Sequence, residues 1–440
     1  MKRRNFLKVS VGMYAASALS GTTFAKGKIT SPNETLNVGV IGCNGMGNSN
    51  LRSMLLNSNV RCTALCDVDD AVLSKRKAEI SRDFGSKPLL YKDYRSLLGN
   101  RDIDAVIIAT PDHWHCLQMV DAVSAGKHVY IEKPISNSIS EAKWMVDAAN
   151  YHKTVVQVGQ WQRSGKHWSD AIDYVHSGAL GQIRTVKAWA YMDWLKSIPV
   201  RPDTKVPSGV DYDMWLGPAP DRPFNTNRFH FTFRWFWDYA GGLMTDWGVH
   251  LLDVVLWGMN ATTPNRIVSS GGNFAYPNSA METPDTQQAI FEFPDFTMIW
   301  EHANGIGLGP YQRSHGIAFI GNNGTLIVDR GGWEVLPEIE SEQGVKKSKV
   351  EPVERQSAKP GETGLAQHTS NFVNAIRENE KLNCDINVGS LAAINAHMGN
   401  IALKTKSSLV WNAEAENFVG NDAANDSMTP EYRSPWNAPS

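Results

Sequence analysis

NVGVIGCNGMG at residues 37–47, followed by VRCTALCD at residues 60–67, reads as a strand, a tight glycine turn, a helix and a second strand closing on an acid. Val38, Val40 and Ile41 supply an apolar β-type run, and Gly42, Gly45 and Gly47 follow where a backbone must turn sharply and come close to a phosphate. Asp67 ends the next apolar strand twenty residues after Gly47, the spacing at which a carboxylate accepts hydrogen bonds from an adenosine ribose. Asn44 stands where G-x-G-x-x-G expects its second glycine, and Gly45 comes one place late. An ordinary strand-to-helix turn also carries glycines. Strand, helix and terminal acid together point instead to a dinucleotide site built from Gly42, Asn44, Gly45, Met46, Gly47 and Asp67. An acid at position 67 favours NAD over NADP, because a carboxylate repels a 2′-phosphate.

Around this stretch the chain extends to 440 residues, too long for one ordinary core and enough for two or three domains. Lys plus Arg total 43 against 45 Asp plus Glu, with no dense basic run beyond the N-terminus, so nothing points to nucleic acid. Fifteen Trp offer flat faces that either stack on sugar rings or fill a core. Residues 1–25 read as a twin-arginine export signal. They hold Arg3-Arg4, Phe6-Leu7, the short apolar run VSVGMYAASALSG and a small-residue cleavage site at Thr23-Phe24-Ala25. That predicts export by the twin-arginine machinery to the periplasm, with no membrane span, since a spanning helix needs a longer apolar run. The five cysteines, without paired spacing, argue against a disulfide framework or a zinc site and read as small buried hydrophobes.

Strands alternating with helices over residues 36–158 predict a doubly wound parallel sheet, the Rossmann arrangement, with ligands at the carboxyl ends of its strands. The glycine turn, Asp67, residues 110–115 and residues 132–134 all fall at those ends. From residue 159 to 415 the style changes. A long strand at 183–192 precedes an aromatic loop, a helix at 241–256 and successive strands without helices between them. This predicts an α+β domain with a large, mostly antiparallel open sheet. Residues 338–364 read as polar loop and 416–440 as a Pro-containing tail.

Lys133 follows an apolar strand and sits on the ligand rim, unlike the ordinary solvated lysine. Asp246 and His250 lie four apart on the helix predicted at 241–256 and so share one face, a spacing that also fits metal ligation or a helix-side hydrogen bond. His113-Trp114-His115 has no Cys or carboxylate cluster beside it to support a metal, and none is expected. The glycine turn with its terminal Asp, then A-T-P-D-H-W-H, E-K-P and G-G-L-M-T-D-W-G-V-H-L-L-D, resemble in this order the Gfo/Idh/MocA oxidoreductases, named for glucose-fructose oxidoreductase and inositol dehydrogenase.

The resemblance implies that Lys133 contacts nicotinamide and substrate, that His250 is a general acid/base for the substrate hydroxyl, and that Asp246 orients substrate or the His. It places Thr110, Pro111, His113, His115, Glu132 and Lys133 along the cofactor. Gln160, Gln162 and Arg163 after the last parallel strand, with Tyr191, Arg228, His230, Arg234, Trp235 and Trp237, are candidates for sugar contacts. The expected activity is hydride transfer between a carbinol of a sugar, glycoside or polyol and NAD. An exported enzyme finds no ready pool of free cofactor, so the NAD is expected to be held tightly. Two alternatives stand beside it: an NAD-dependent glycoside hydrolase that oxidises the sugar transiently, eliminates the aglycone and reduces again, and a catalytically silent carbohydrate-binding protein. The predicted antiparallel sheet offers a face for a homo-oligomer, as in the family.

Overall fold

The computed structural model describes residues 35–439, so the export-signal reading of residues 1–25 lies outside the described residues. Six strands, β1 (Leu36–Ile41), β2 (Val60–Cys66), β3 (Leu89–Tyr91), β4 (Ala105–Ile108), β5 (His128–Ile131) and β6 (Val156–Val158), form one sheet in the order β3-β2-β1-β4-β5-β6. Every pairing is parallel. β4 and β5 are buried along their whole length, as apolar runs covered by helices on both faces must be. The order reverses between β1 and β4, which opens a crevice at their carboxyl ends.

The second sheet has ten strands. They are β7 (Ile183–Met192), β8 (Arg266–Gly272), β9 (Thr286–Glu292), β10 (Thr297–Asn304), β11 (His315–Gly321), β12 (Gly324–Asp329), β13 (Gly332–Pro337), β16 (Val353–Ser357), β17 (Leu409–Asn412) and β18 (Asn417–Phe418). A separate hairpin of β14 (Ile339–Glu342) and β15 (Val345–Ser348) stands apart. Only β7 and β10, at the sheet's centre, run parallel; the other neighbours are antiparallel. Val186, Ala188, Ala190 and Met192 of β7 face the main core, where the helices Gly248–Met259 and Ile386–Thr405 cover the sheet. The helix Leu365–Glu378, late in the chain, packs instead on the Rossmann helix Gly45–Met54, and its Phe372, Val373 and Ile376 join that domain's core.

Residues 338–364, expected as loop, carry β14, β15 and β16. Their side chains are nearly all exposed, so no alternation of apolar residues marks them as strands. The helix expected at 241–256 is two helices, Gly242–Asp246 and Gly248–Met259, meeting at Trp247. Asp246 and His250 therefore lie either side of a break, and no regular helix fixes their shared face. The C-terminal segment is anchored: the Tyr432 hydroxyl donates to Glu141 Oε1 at 2.6 Å, and Trp436 meets Trp114 edge-on at 4.8 Å. All five cysteines are free and buried. Among the described residues no helix is long and apolar enough to cross a membrane.

Candidate active site

The cofactor end is shaped by backbone. The chain leaves β1 through Gly42, at φ +83°, where a Cβ would lie 2.7 Å from the Ala109 carbonyl carbon. A Cβ on Gly47 would sit 1.9 Å from the Gly42 oxygen, so only glycine lets the helix start lie against the strand end. Asn44 is the N-cap of that helix, yet its side chain makes no capping bond; its Oδ1 accepts from Arg76 Nη2 at 2.8 Å. No side chain thus caps the first turn, which leaves its positive end open to an anion. Asp67 Oδ2 accepts from the Cys43 amide at 2.9 Å and Oδ1 from the Asp69 amide at 3.2 Å, which fixes the carboxylate beside the turn. Burial raises its pKa and the two amides work against that rise. An open helix start and a fixed acid at this separation are the donor set a dinucleotide needs.

On the opposite rim, Thr110 Oγ1 donates to Gln118 at 2.7 Å. The His115 ring lies between the carbonyls of Pro134, 2.7 Å from Nδ1, and Thr110, 2.8 Å from Nε2. Serving both would need an imidazolium; burial drives the pKa down to about 4, so the neutral ring donates to one of them. Either way His115 ties residues 110–115 to the turn at the cis Lys133–Pro134 bond. Glu132 is buried, accepts from Asn50 Nδ2 at 2.7 Å, and has its pKa raised by that burial. Asp112 is pushed up to about 8 by burial, against the pull of Arg234 and Lys133.

One cavity of about 600 Å³ runs from Asp67 and Gly45 past Thr110 and Pro111 to Glu132 and Lys133. Its far wall comes from the second domain's loop: Met214, Trp215, His230, Phe231, Phe233 and Arg234. That loop is fastened at several points. Val210 pairs with Asp69 as an isolated bridge, Lys92 Nζ donates to the Gly209 carbonyl at 2.9 Å, and His230 Nε2 meets Asp69 Oδ2 at 3.0 Å. Trp114 Nε1 donates to the Trp215 carbonyl at 3.0 Å.

At the inner end the two domains meet through Lys133. Its Nζ donates to Asp246 Oδ1 at 2.9 Å and to the Asp246 carbonyl at 3.0 Å, while Arg234 Nε donates to the same Oδ1 at 3.2 Å. Burial disfavours the Asp246 carboxylate, but the two cations outweigh it and hold its pKa well below the ordinary range. His250 is buried, and its Nδ1 has no hydrogen-bond partner. Burial first, then the charges of Lys133 and Arg330, push its pKa well below the imidazole value, so the ring is a neutral base.

The cofactor candidates Gly42, Asn44, Gly45, Met46, Asp67, Thr110, Pro111, His115, Glu132 and Lys133 all line the cavity. Gly47 acts beneath it. His113 does not reach it, being buried with Nε2 on the Trp215 carbonyl at 3.1 Å. Three candidates for sugar contact are corrected. Arg163 is locked to Asp253, Nε at 2.7 Å from Oδ2 with both side chains nearly buried, because a guanidinium in that interior needs a carboxylate. Tyr191 alternates onto the sheet face opposite the main core, packed with Trp189. Trp235 is fully buried packing. Gln160 is buried as well, donating to the Val249 carbonyl at 3.1 Å with its Oε1 unpartnered. Sequence reasoning missed Met214, Trp215, Phe231 and Phe233 of the cavity's far wall; the aromatic-rich loop was their only signal.

Two family models match the chain: an oxidoreductase family NAD-binding Rossmann fold over residues 36–160, and the same family's C-terminal alpha/beta domain over residues 182–273. Among curated proteins, a glycosyl hydrolase family 109 protein 2 from Shewanella sp. (strain ANA-3) is 30% identical over 200 residues, covering 41% of this chain and 44% of the relative. The match thus spans less than half the length of that relative. Among solved structures, GenD2 from gentamicin A biosynthesis in complex with NAD aligns at TM-score 0.65 and 17% identity, covering 88% of this chain and 99% of its own. Levoglucosan dehydrogenase in complex with NADH and levoglucosan aligns at TM-score 0.64 and 18% identity, covering 86% and 99%. At such identity these two likenesses show the fold. The cleft described above is accordingly an NAD-binding one, and residues 36–160 and 182–273 match, in that order along the sequence, the NAD-binding and C-terminal domain models of one oxidoreductase family.

Proposed function

We propose that this protein is a dehydrogenase that moves hydride between a carbinol carbon of a sugar, glycoside or polyol and NAD. The observation that carries the reading is the inner end of the NAD cleft, where Lys133 Nζ lies 2.9 Å from Asp246 and both act on the charge state of the buried, neutral His250. NAD bound along the glycine turn supplies the hydride acceptor. Lys133 presents an ammonium to the substrate oxygen and stabilises the alkoxide that forms as its proton leaves. Neutral His250 accepts that proton at a ring nitrogen. Asp246 holds Lys133 in place, and Arg234 shares the load on Asp246. The loop fastened across the cavity by Val210 and His230 supports tight retention of the cofactor, as an enzyme exported by the signal read in residues 1–25 would need.

Mass spectrometry of the denatured purified protein is expected to release NAD(H), and a panel of sugars and polyols is expected to change the bound cofactor's absorbance. Absence of both would overturn the proposal. The curated relatives favour a second reading, redox-neutral glycoside hydrolysis in the same cleft. An aryl glycoside distinguishes the two: phenol release without net NADH supports the hydrolase, and NADH accumulation without phenol supports the dehydrogenase.

A further inference from the structure

Next to His250, whose ring centre lies 6.1 Å from that of Trp161 and 6.2 Å from that of Trp247, sits a cation that nothing in the hydride-transfer scheme uses. Arg330 is the residue after β12. Its guanidinium carbon lies 4.4 Å from the ring centre of Trp247 and 4.9 Å from that of Trp161. Nε donates to Gln162 Oε1 at 3.3 Å. Among the described residues neither Nη forms a hydrogen bond, and no carboxylate lies within ion-pair distance of Arg330. The carboxylate next to it in the chain, Asp329, is taken by Arg313 at 3.2 Å and Arg355 at 2.8 Å. The His315 ring meets Trp247 at a 55° tilt, 4.8 Å between ring centres, and its buried Nε2 has no partner. Burial holds the Arg330 pKa down to about 10 and that of His315 down to about 4, so at neutral pH the pair presents one full positive charge and one neutral ring.

The charge count is uneven. Lys133, Arg234 and Arg330 surround His250 and Asp246, and only Asp246 answers them as a firmly ionised carboxylate. The buried acids nearby, Asp112 and Glu132, both have their pKa raised by burial, Asp112 to about 8. A half-buried guanidinium with two free edges, stacked on indoles, is poorly served by water and matches a planar or tetrahedral oxyanion.

We infer that Arg330, flanked by Trp161 and Trp247 and helped by His315, is an oxyanion subsite, and that the substrate is a sugar carrying an acidic substituent, a carboxylate or a phosphate ester, while its carbinol is held at His250 and Lys133. The inference rests on the reading of this cleft as a sugar site and narrows its substrate class. In this arrangement the two indoles hold the guanidinium plane still and wall the sugar ring, so the acid group fixes which carbon faces the cofactor.

The test uses the purified NAD-loaded protein. Binding by calorimetry and kcat/KM from the bound cofactor's absorbance are measured for hexuronates, for hexose 6-phosphates and for the parent neutral hexoses. Acidic sugars are expected to be preferred by about tenfold to hundredfold, the range of a charge-assisted pair. The preferred class names the source of the oxyanion. Arg330→Met is expected to bring the preference close to one, Arg330→Lys to keep part of it, and added salt to weaken it in the wild type. Should Arg330→Met fail to fold, the lysine variant and the salt series carry the test. Neutral hexoses bound and oxidised as well as their acids, or a preference that survives in Arg330→Lys and in high salt undiminished, overturn the subsite and leave the dehydrogenase reading standing. If neither class binds or reacts, the parent reading falls and the subsite with it.

Discussion

The cofactor rim and the substrate floor of this cleft are built from different materials. At the rim the backbone does the shaping. Gly42 and Gly47 admit no Cβ, the helix start goes uncapped, and Asp67 is pinned by two amides. At the floor the side chains do it, and they come from far apart: Lys133 reaches across 113 positions to Asp246, and Arg330 arrives from the end of β12. A rim made of turns and amides follows from neighbours in sequence. A floor made of charges depends on which cations and acids the fold brings within a few ångströms, because Coulomb energy depends on distance through space.

The sharpest way to break the comparison is at the floor. Lys133→Ala and His250→Ala are each expected to lower kcat/KM by about a thousandfold or more, roughly 4 kcal/mol of transition-state stabilisation, with the far-UV spectrum unchanged. Rates within tenfold of wild type in either variant would sink the proposed chemistry. Arg163→Ala probes the boundary between site and scaffold. With Asp253 left buried and unpaired, stability is expected to drop by about 3 kcal/mol in denaturant titration. A changed KM with unchanged stability would return Arg163 to the substrate.

At the rim, Gly47→Ala is expected to push the helix Gly45–Met54 off β1, with a loss of about 2 kcal/mol and of the NAD released on denaturation. Cofactor content equal to wild type would mean that the turn relaxes around the methyl group. His230→Ala loosens the fastened loop at one exposed contact and is expected to speed cofactor dissociation only about twofold to fivefold.

The smallest effect is with pH. Burial lowers the His250 pKa, so its neutral, proton-accepting form persists as pH falls. Oxidation is expected to fall less than about twofold between pH 7.5 and 6, whereas an ordinary imidazole would lose about three-quarters of its base form. The same shift gives stability that is fully present above the unfolded imidazole pKa and is lost as pH falls below it. A fourfold fall in rate by pH 6 would remove His250 from the role of base.

How much of this was legible follows the same division. The run 183–192 reads as a strand and is β7 residue for residue, since its alternation has one buried face. That alternation also carries Tyr191 to the wrong face, which an aromatic residue alone does not reveal. Lys133 is legible because it ends an apolar strand on a known rim. Arg163 was not, because its carboxylate partner, Asp253, lies 90 positions away. The hairpin at β14 and β15 was missed because strands exposed on both faces carry no hydrophobic period.

By itself the sequence determined the doubly wound sheet, the glycine turn, Asp67 and the order of the two domains, because each is a local pattern of sterics and hydrophobic spacing. The tertiary structure decided the rest: the loop fastened over the cavity, the break at Trp247, and a floor where Lys133, Arg234 and Arg330 surround the one carboxylate of Asp246. Those depend on burial and on distances through space, and neither is written in the spacing of residues along the chain.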